Sequence, residues 1–229
     1  MFEQLNGATR VHFIVGDPIA QVKSPAGLAQ AFVERGHNAT VVPAHVAPEH
    51  LLSWRAGLSR ARSVDGIIVT VPHKFAAFGR CTTTSERASF LRAVNTIRRN
   101  PDGSWHGDTF DGLGFVEAMR DNGCDPHGRR ALLIGAGGAG YAIAHVLLLA
   151  GVWSLALVVT SKLWRTTLID RLNWLKTAPL THGTGDPAGY DIVLNATRMG
   201  MKTGDLYPAD VTKFSGSMFV GCVITAPVA

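Results

Sequence analysis

Two groups of residues in this sequence have types and spacings suited to chemistry. The first is Gly135-Ala-Gly137-Gly-Ala-Gly140, a G-x-G-x-x-G pattern. It follows the short apolar run ALLIG and leads into YAIAHVLLLA, so it reads as a glycine turn between a strand and a helix. Such a turn suits a pyrophosphate. The first glycine makes the tight bend, the second lets phosphate approach the main chain, the third lets helix and strand pack closely, and the helix N-terminus holds the anion. A glycine-rich turn without a ligand is spelled the same way. The second group is a lysine and an aspartate near the ends of elements. Lys74 closes Val69-Thr-Val-Pro-His-Lys74 just after a strand, and Asp111 lies in Gly107-Asp-Thr-Phe-Asp111-Gly112. Together they could transfer a proton. A surface lysine and a helix-capping aspartate would look alike in sequence, and Asn95 in AVNT, read as a buried amide, carries the same ambiguity.

The elements that must position these residues are legible as alternating patterns. VHFIVG (11–16) reads as a buried strand, and Ser24-Pro25 as a helix N-cap followed by proline at the first helical position. Leu28, Phe32 and Val33 recur at helical spacing up to Gly36. ATVVPAHV, APEHLLSWRAGLSR and VDGIIVTVPHK continue as strand, helix and strand, which predicts an open, mostly parallel sheet. A short helix over Ser85–Leu91 follows. AVNTIRR and SWHGDTF flank Asn100-Pro-Asp-Gly103 and predict a hairpin. DGLGFVEAMRDNG reads as a helix stopped by Gly123, LIDRLNWL as a helix, and YDIVLNAT and MFVGCVIT as strands. The fold class is therefore α/β in two lobes, with a boundary near Gly107–Gly112 that divides the chain into 1–107 and 108–229.

The residues after the second strand of the later lobe bear on cofactor type. A protein that binds NAD usually carries Asp or Glu there, about 20 residues past the glycines, to hold the ribose hydroxyls. Here LALVVT ends in Thr160-Ser161-Lys162, with Arg165 following, and Asp170 comes too late. Hydroxyls and cations suit a 2′-phosphate, so NADP is favoured and NAD is the alternative. An ordinary solvated helix start would also account for Lys162 and Arg165.

Composition excludes several classes. The 229 residues are 46% hydrophobic and 17% charged, which does not suit disorder. The three cysteines, Cys81, Cys124 and Cys222, are far apart without C-x-x-C spacing, so neither a zinc site nor a disulfide framework is expected. The net charge of +5 is spread out, and the densest groups are the pairs Arg98-Arg99 and Arg129-Arg130. That is too sparse for a stripe tracking nucleic acid, and it suits the steering of small anions. Residues 131–160 contain no Asp, Glu, Lys or Arg, long enough to suggest a membrane span. Glycines 135, 137, 138, 140 and 151 break the stretch into pieces the size of a strand, a helix and a strand. MFEQLNGATRVHF lacks the pattern of a signal peptide, and a cytoplasmic location is expected.

Several segments, in order, resemble the shikimate dehydrogenase family and its quinate dehydrogenase relatives. VGDPIAQVKSP resembles the first-strand motif with Ser-x-Ser-Pro, DGIIVTVPHK the strand ending V-T-x-P-x-K, and RAVNT the G-A-V-N-T motif. GDTFDGLGF resembles G-x-N-T-D-G-x-G-F, LLIGAGGAG the dinucleotide loop, and DIVLNATRMGM the I-N-A-T-x-x-G-M motif. The resemblance implies an N-terminal substrate lobe and a C-terminal Rossmann lobe with the active site in the cleft between them. It implies NADP-dependent interconversion of shikimate, or a related cyclic polyhydroxy carboxylate, and its 3-dehydro ketone. Carried over, Lys74 and Asp111 are the catalytic pair, and Ser24, Thr70 and Asn95 bind substrate. Gly137, Gly138 and Ala139 meet the cofactor phosphates, Asn195, Thr197 and Met199 lie along the cofactor, and Met201 lies near the nicotinamide. The enzyme would be a monomer or homodimer taking a small ring acid, with no nucleic acid or membrane partner.

The sequence also departs from that pattern. Gln21 and Val22 replace a His and the first Ser of Ser-x-Ser, and Ile68 replaces the Asn of N-V-T. Lost hydrogen-bonding groups shift substrate preference, at roughly 1–3 kcal/mol for each polar group left unsatisfied. Thr160-Ser161-Lys162 stands for Asn-Arg-Thr, Cys222 for an Asp and Thr225 for a Tyr. The family's C-terminal return segment, with a Gln that touches substrate, is expected to be missing after Ala229. These departures keep open a catalytically weak paralogue that binds dinucleotide or metabolite without turnover. A folate dehydrogenase on the same two-lobed plan fits the Lys74 and Asp111 segments less well.

Overall fold

The computed structural model describes residues 5–200 and 204–222. The chain divides into two units, Met1–Thr109 and Phe110–Ala229.

The first unit runs β1 (Arg10–Gly16), α1 (Ser24–Glu34), β2 (Ala39–His45), α2 (Leu51–Leu58), β3 (Val64–Val69), α3 (Lys74–Phe78), β4 (Thr83–Thr84), α4 (Glu86–Leu91), β5 (Thr96–Arg99) and β6 (Trp105–Asp108). Its sheet has the order β2-β1-β3-β5-β6-β4. The helical crossovers make β1 parallel to both β2 and β3. The sheet is mixed beyond that point, where a mostly parallel one was expected. The turn at Asn100–Gly103 is too short for a crossover, so β6 returns antiparallel to β5, which is itself antiparallel to β3. Val15, Ile67, Val69, Ile97 and Trp105 form the core with Leu51 and Ala88 from the helices.

One detail differs from the sequence reading. Lys23, not Ser24, is the N-cap of α1, and Ser24 is its first residue; no side chain caps this helix. Proline in the first turn removes a donor that would have no intrahelical acceptor, so the start tolerates the shift. No residue of α1 is buried, so its apolar stripe is only half covered. Arg99 is engaged within the unit. It donates to the carbonyls of Leu58, Ser59 and Ala61, and its guanidinium lies 4.7 Å from the centre of the Trp105 ring.

The second unit runs α5 (Asp111–Asp121), β7 (Arg130–Ile134), α6 (Gly138–Leu149), β8 (Ser154–Val158), α7 (Lys162–Asn173), β9 (Leu180–His182), β10 (Ile192–Asn195) and β11 (Phe219–Cys222). The sheet order is β11-β10-β7-β8-β9, and every pair is parallel. The charge-free stretch is thus β7, α6 and β8. Its strands are unbroken apolar runs because both faces are covered. α6 has 12 residues, and no helix among the described residues is long and apolar enough to cross a membrane. α5 packs closely on α6: a Cβ at Gly112 would lie 2.1 Å from the Ala142 carbonyl oxygen. Phe110 is the N-cap of α5 and Asp111 its first residue, so Asp111 is not a capping aspartate. Arg130 pairs with Asp191 at 3.1 Å, binding the start of β7 to β10 and holding the Asp191 carboxyl below the usual range. β9 is not evident in the sequence because it is short and its side chains are only partly covered.

Candidate functional site

In the first unit, three of the predicted residues, Thr70, Lys74 and Asn95, lie where β1 and β3 end. Thr70 directly follows β3; its N–H donates to Val15 and its carbonyl accepts from His73. The chain then turns into α3, whose first residue is Lys74. Lys74 is buried, at 8% exposure, and is not the surface lysine of the alternative reading. His73, at 1% exposure, is fixed by a 2.8 Å contact from Nε2 to the Val46 carbonyl, which anchors the turn below the lysine. Val94 N–H donates to the Lys74 carbonyl, and Asn95 accepts from Val69 N–H and donates to the Asp108 carbonyl. Main-chain bonds therefore lock Thr70, Lys74 and Asn95 into one neighbourhood. Asn95 is half-buried, and its Oδ1 accepts from the Thr96 hydroxyl at 3.0 Å. Ser24 is exposed at the first turn of α1.

Three of the departures, Gln21, Val22 and Ile68, sit in the same unit. Val22 and Ile68 are half-buried, and Gln21 turns its amide onto the Pro18 carbonyl at 2.8 Å. Ahead of Asp111, an ion pair braces the chain. Arg87 of α4 pairs with Asp108 and donates to the Thr109 carbonyl, while Asp108 also accepts from the Ser85 hydroxyl and the Thr109 N–H. Asp111 itself is half-buried in the second unit.

In the second unit, strand order reverses between β7 and β10, the switch point where open parallel sheets bind ligands. The glycine turn lies there. Gly135 has φ +95°, which favours glycine, and its N–H donates to Val158. Gly137 is the N-cap of α6, and a Cβ there would meet nothing within 4 Å, so the space at the helix N-terminus is open. A Cβ on Gly140 would lie 2.2 Å from the Gly135 carbonyl oxygen. Gly138 and Ala139 supply main-chain N–H groups in the first turn. Open space at a helix start beside a turn that excludes side chains fits a dinucleotide pyrophosphate.

After β8, Thr160 is exposed and Ser161 caps α7, its hydroxyl oxygen accepting from Trp164 N–H at 3.3 Å. Lys162 is exposed at the helix start. The Arg165 Nη1 lies 3.0 Å from His182 Nε2, and His182 Nδ1 lies 3.1 Å from the Leu157 carbonyl. Trp164 donates from its indole to the Ala136 carbonyl at 2.8 Å, attaching α7 to the glycine turn. Neither Trp164 nor His182 stood out in the sequence: each tie joins separate elements, and no local pattern announces it.

Asn195, at the end of β10, accepts from Thr197 N–H and hydroxyl and donates to the Met199 carbonyl and to Cys222 Sγ at 3.2 Å. Its amide is thus engaged in shaping the turn that carries Thr197 and Met199. Beside this turn lies a cavity of about 280 Å³, lined by Met199, Tyr207, Phe214 and Val220 among others and, among the described residues, by no charged side chain. Met201 and Thr225 lie outside the described residues. Among the described residues, no group of three His, Cys, Asp or Glu side chains is placed to hold a metal.

Residues 14–97 match the family model described as the shikimate dehydrogenase substrate binding domain. A protein of Rubrobacter xylanophilus named shikimate dehydrogenase (NADP(+)) is 36% identical over 209 residues, 90% of this chain and 73% of that protein. One of the same name from Rhodospirillum rubrum is 34% identical over 98% of this chain and 81% of that protein. Among solved structures, shikimate 5-dehydrogenase of Thermus thermophilus in complex with NADP(H) and shikimate superposes with a TM-score of 0.84 at 25% identity, covering 96% of this chain and 80% of that one.

Proposed function

The chain belongs to the shikimate dehydrogenase family, and from that premise we propose that it is an NADP-dependent oxidoreductase interconverting a cyclic polyhydroxy carboxylate, shikimate or a close relative such as quinate, and its 3-dehydro ketone. Residues 1–107 would take the ring acid and 108–229 the dinucleotide. When bound, the nicotinamide would supply the acceptor for a hydride from the carbinol carbon. Lys74 and Asp111 manage the hydroxyl proton released as the carbonyl forms, and return it in the reverse direction. Thr70, Asn95 and Ser24 orient the ring and its carboxylate. The main chain at Gly135, Gly137, Gly138, Ala139 and Gly140 holds the pyrophosphate. Thr160, Ser161, Lys162 and Arg165 face the adenosine phosphate, while Asn195, Thr197 and Met199 shape the turn beside the cofactor.

The observation that carries this reading is that main-chain bonds bring Thr70, the buried Lys74 and Asn95 into one neighbourhood at the end of β3. The test is an absorbance assay of reduced cofactor that crosses NAD and NADP with shikimate, quinate and an amino analogue, alongside Lys74→Ala. Turnover in the variant should fall roughly 10²–10⁴-fold while calorimetric cofactor binding persists. A normal rate in Lys74→Ala overturns the assignment. Val22 and Ile68, half-buried apolar residues at departures from the family pattern, support a second reading as a binding protein with little turnover. Cofactor binding without oxidation of any ring acid in the same panel would select it.

A further inference from the structure

His182 stands between two groups with opposite demands. The Leu157 carbonyl can only accept a hydrogen bond, so Nδ1 carries the proton in the 3.1 Å contact. The Arg165 guanidinium can only donate, so Nε2 offers its lone pair in the 3.0 Å contact. The arrangement holds one neutral tautomer, and β9 sets its position, since His182 pairs with Leu157 across the sheet. The result is an arginine held at the C-terminal edge of β8 and β9, one turn into a helix whose N-cap is Ser161. The residue before it, Trp164, ties this turn to the glycine loop.

We propose that His182 is a positioning residue for the 2′-phosphate of the cofactor: it fixes Arg165 without neutralising it. The proposal rests on the reading above, in which Arg165 faces that phosphate. A carboxylate at position 182 would grip Arg165 more strongly, but it would cancel the charge that attracts the anion. An apolar residue would leave the full charge on a mobile side chain, and part of the binding free energy would go into ordering it. A neutral imidazole avoids both losses.

The test uses the full chain, with adenosine 2′,5′-bisphosphate and 5′-AMP as calorimetric probes, so that it is independent of turnover. Arg165→Leu sets the scale, with an expected loss of bisphosphate affinity of about 10-fold relative to 5′-AMP, as for one charge-assisted hydrogen bond. His182→Glu should lose nearly as much, His182→Leu about 3-fold, and His182→Gln, which keeps an acceptor and a donor, little. Circular dichroism checks that each variant folds. If Arg165→Leu lowers the ratio and neither His182→Leu nor His182→Glu does, the positioning role is overturned and the phosphate site stands. If Arg165→Leu leaves the ratio unchanged, the placement of the phosphate fails, and the role of His182 fails with it.

Discussion

In the second unit the candidate binding edge is built of main chain: a glycine turn with φ +95° at Gly135, an open helix start at Gly137, and a close approach at Gly140. In the first unit the corresponding edge is built of side chains. Thr70, Lys74 and Asn95 are brought together by main-chain bonds, but their functional groups lie beyond Cβ. The two materials tolerate change differently. A main-chain site survives almost any substitution that leaves the bend and the packing intact. A side-chain site can change its ligand with one residue, and the departures at Gln21, Val22 and Ile68 all fall in the first unit. Under the function proposed above, the second unit would hold the cofactor mainly through main chain and the first would hold the substrate through side chains.

A crossed pair of variants tests that contrast most severely. Lys74→Ala should lose turnover and keep dinucleotide binding, as above. Gly140→Val should do the reverse at the level of binding, losing affinity for NADP by roughly 100-fold or more while still binding ring acid by calorimetry, because its side chain would collide with the Gly135 carbonyl. If Gly140→Val bound NADP normally, the main-chain description of the second site would be wrong. Packing is the next test: Gly112→Ala should destabilise the second unit by about 1–3 kcal/mol, since its Cβ meets the Ala142 carbonyl at 2.1 Å, and thermal melting measures this. In the first unit Asp108→Ala should cost about 2 kcal/mol of stability by removing the acceptor for Arg87, Ser85 and Thr109. Denaturant midpoints of Asp108→Ala and Gly112→Ala would show which unit melts first.

An effect confined to high pH concerns Tyr141, buried in α6, whose hydroxyl is pushed up by burial to about 12 from 10. The folded form keeps this proton when the unfolded chain has lost it. The stability it contributes is therefore complete below pH 10 and declines as pH rises toward 12, by on the order of 2 kcal/mol. Tyr141→Phe should show a shallower loss of stability over that window in denaturant titrations, and an identical slope would refute the attribution.

The sequence was most legible where a local rule forces one answer. The glycine spacing marked the turn at residues 135–140, the Asn100–Gly103 turn marked the hairpin, and the break-up of residues 131–160 showed that an uncharged stretch was two strands and a helix. It was least legible where polar groups meet across elements. The burial of Lys74, the Arg87–Asp108 brace, the Arg99 contacts beyond α2 and the Trp164 and His182 ties join residues that have no periodic relation. The mixed sheet of the first unit was half legible: its antiparallel hairpin was visible, but not that β5 would join β3 and turn a parallel sheet into a mixed one.

Sequence alone determined most of the element types, the glycine turn and the family of this chain, because hydrophobic period, backbone conformation and motif order are local properties of the residues. Tertiary structure alone decided which side chains are buried and which cations are committed. Arg99 and Arg130 belong to adjacent basic pairs that look alike in sequence, yet one lies against Trp105 and carbonyls, and the other pairs with Asp191. Burial and charge pairing depend on what the rest of the chain brings alongside, and that is settled only when the sheets form.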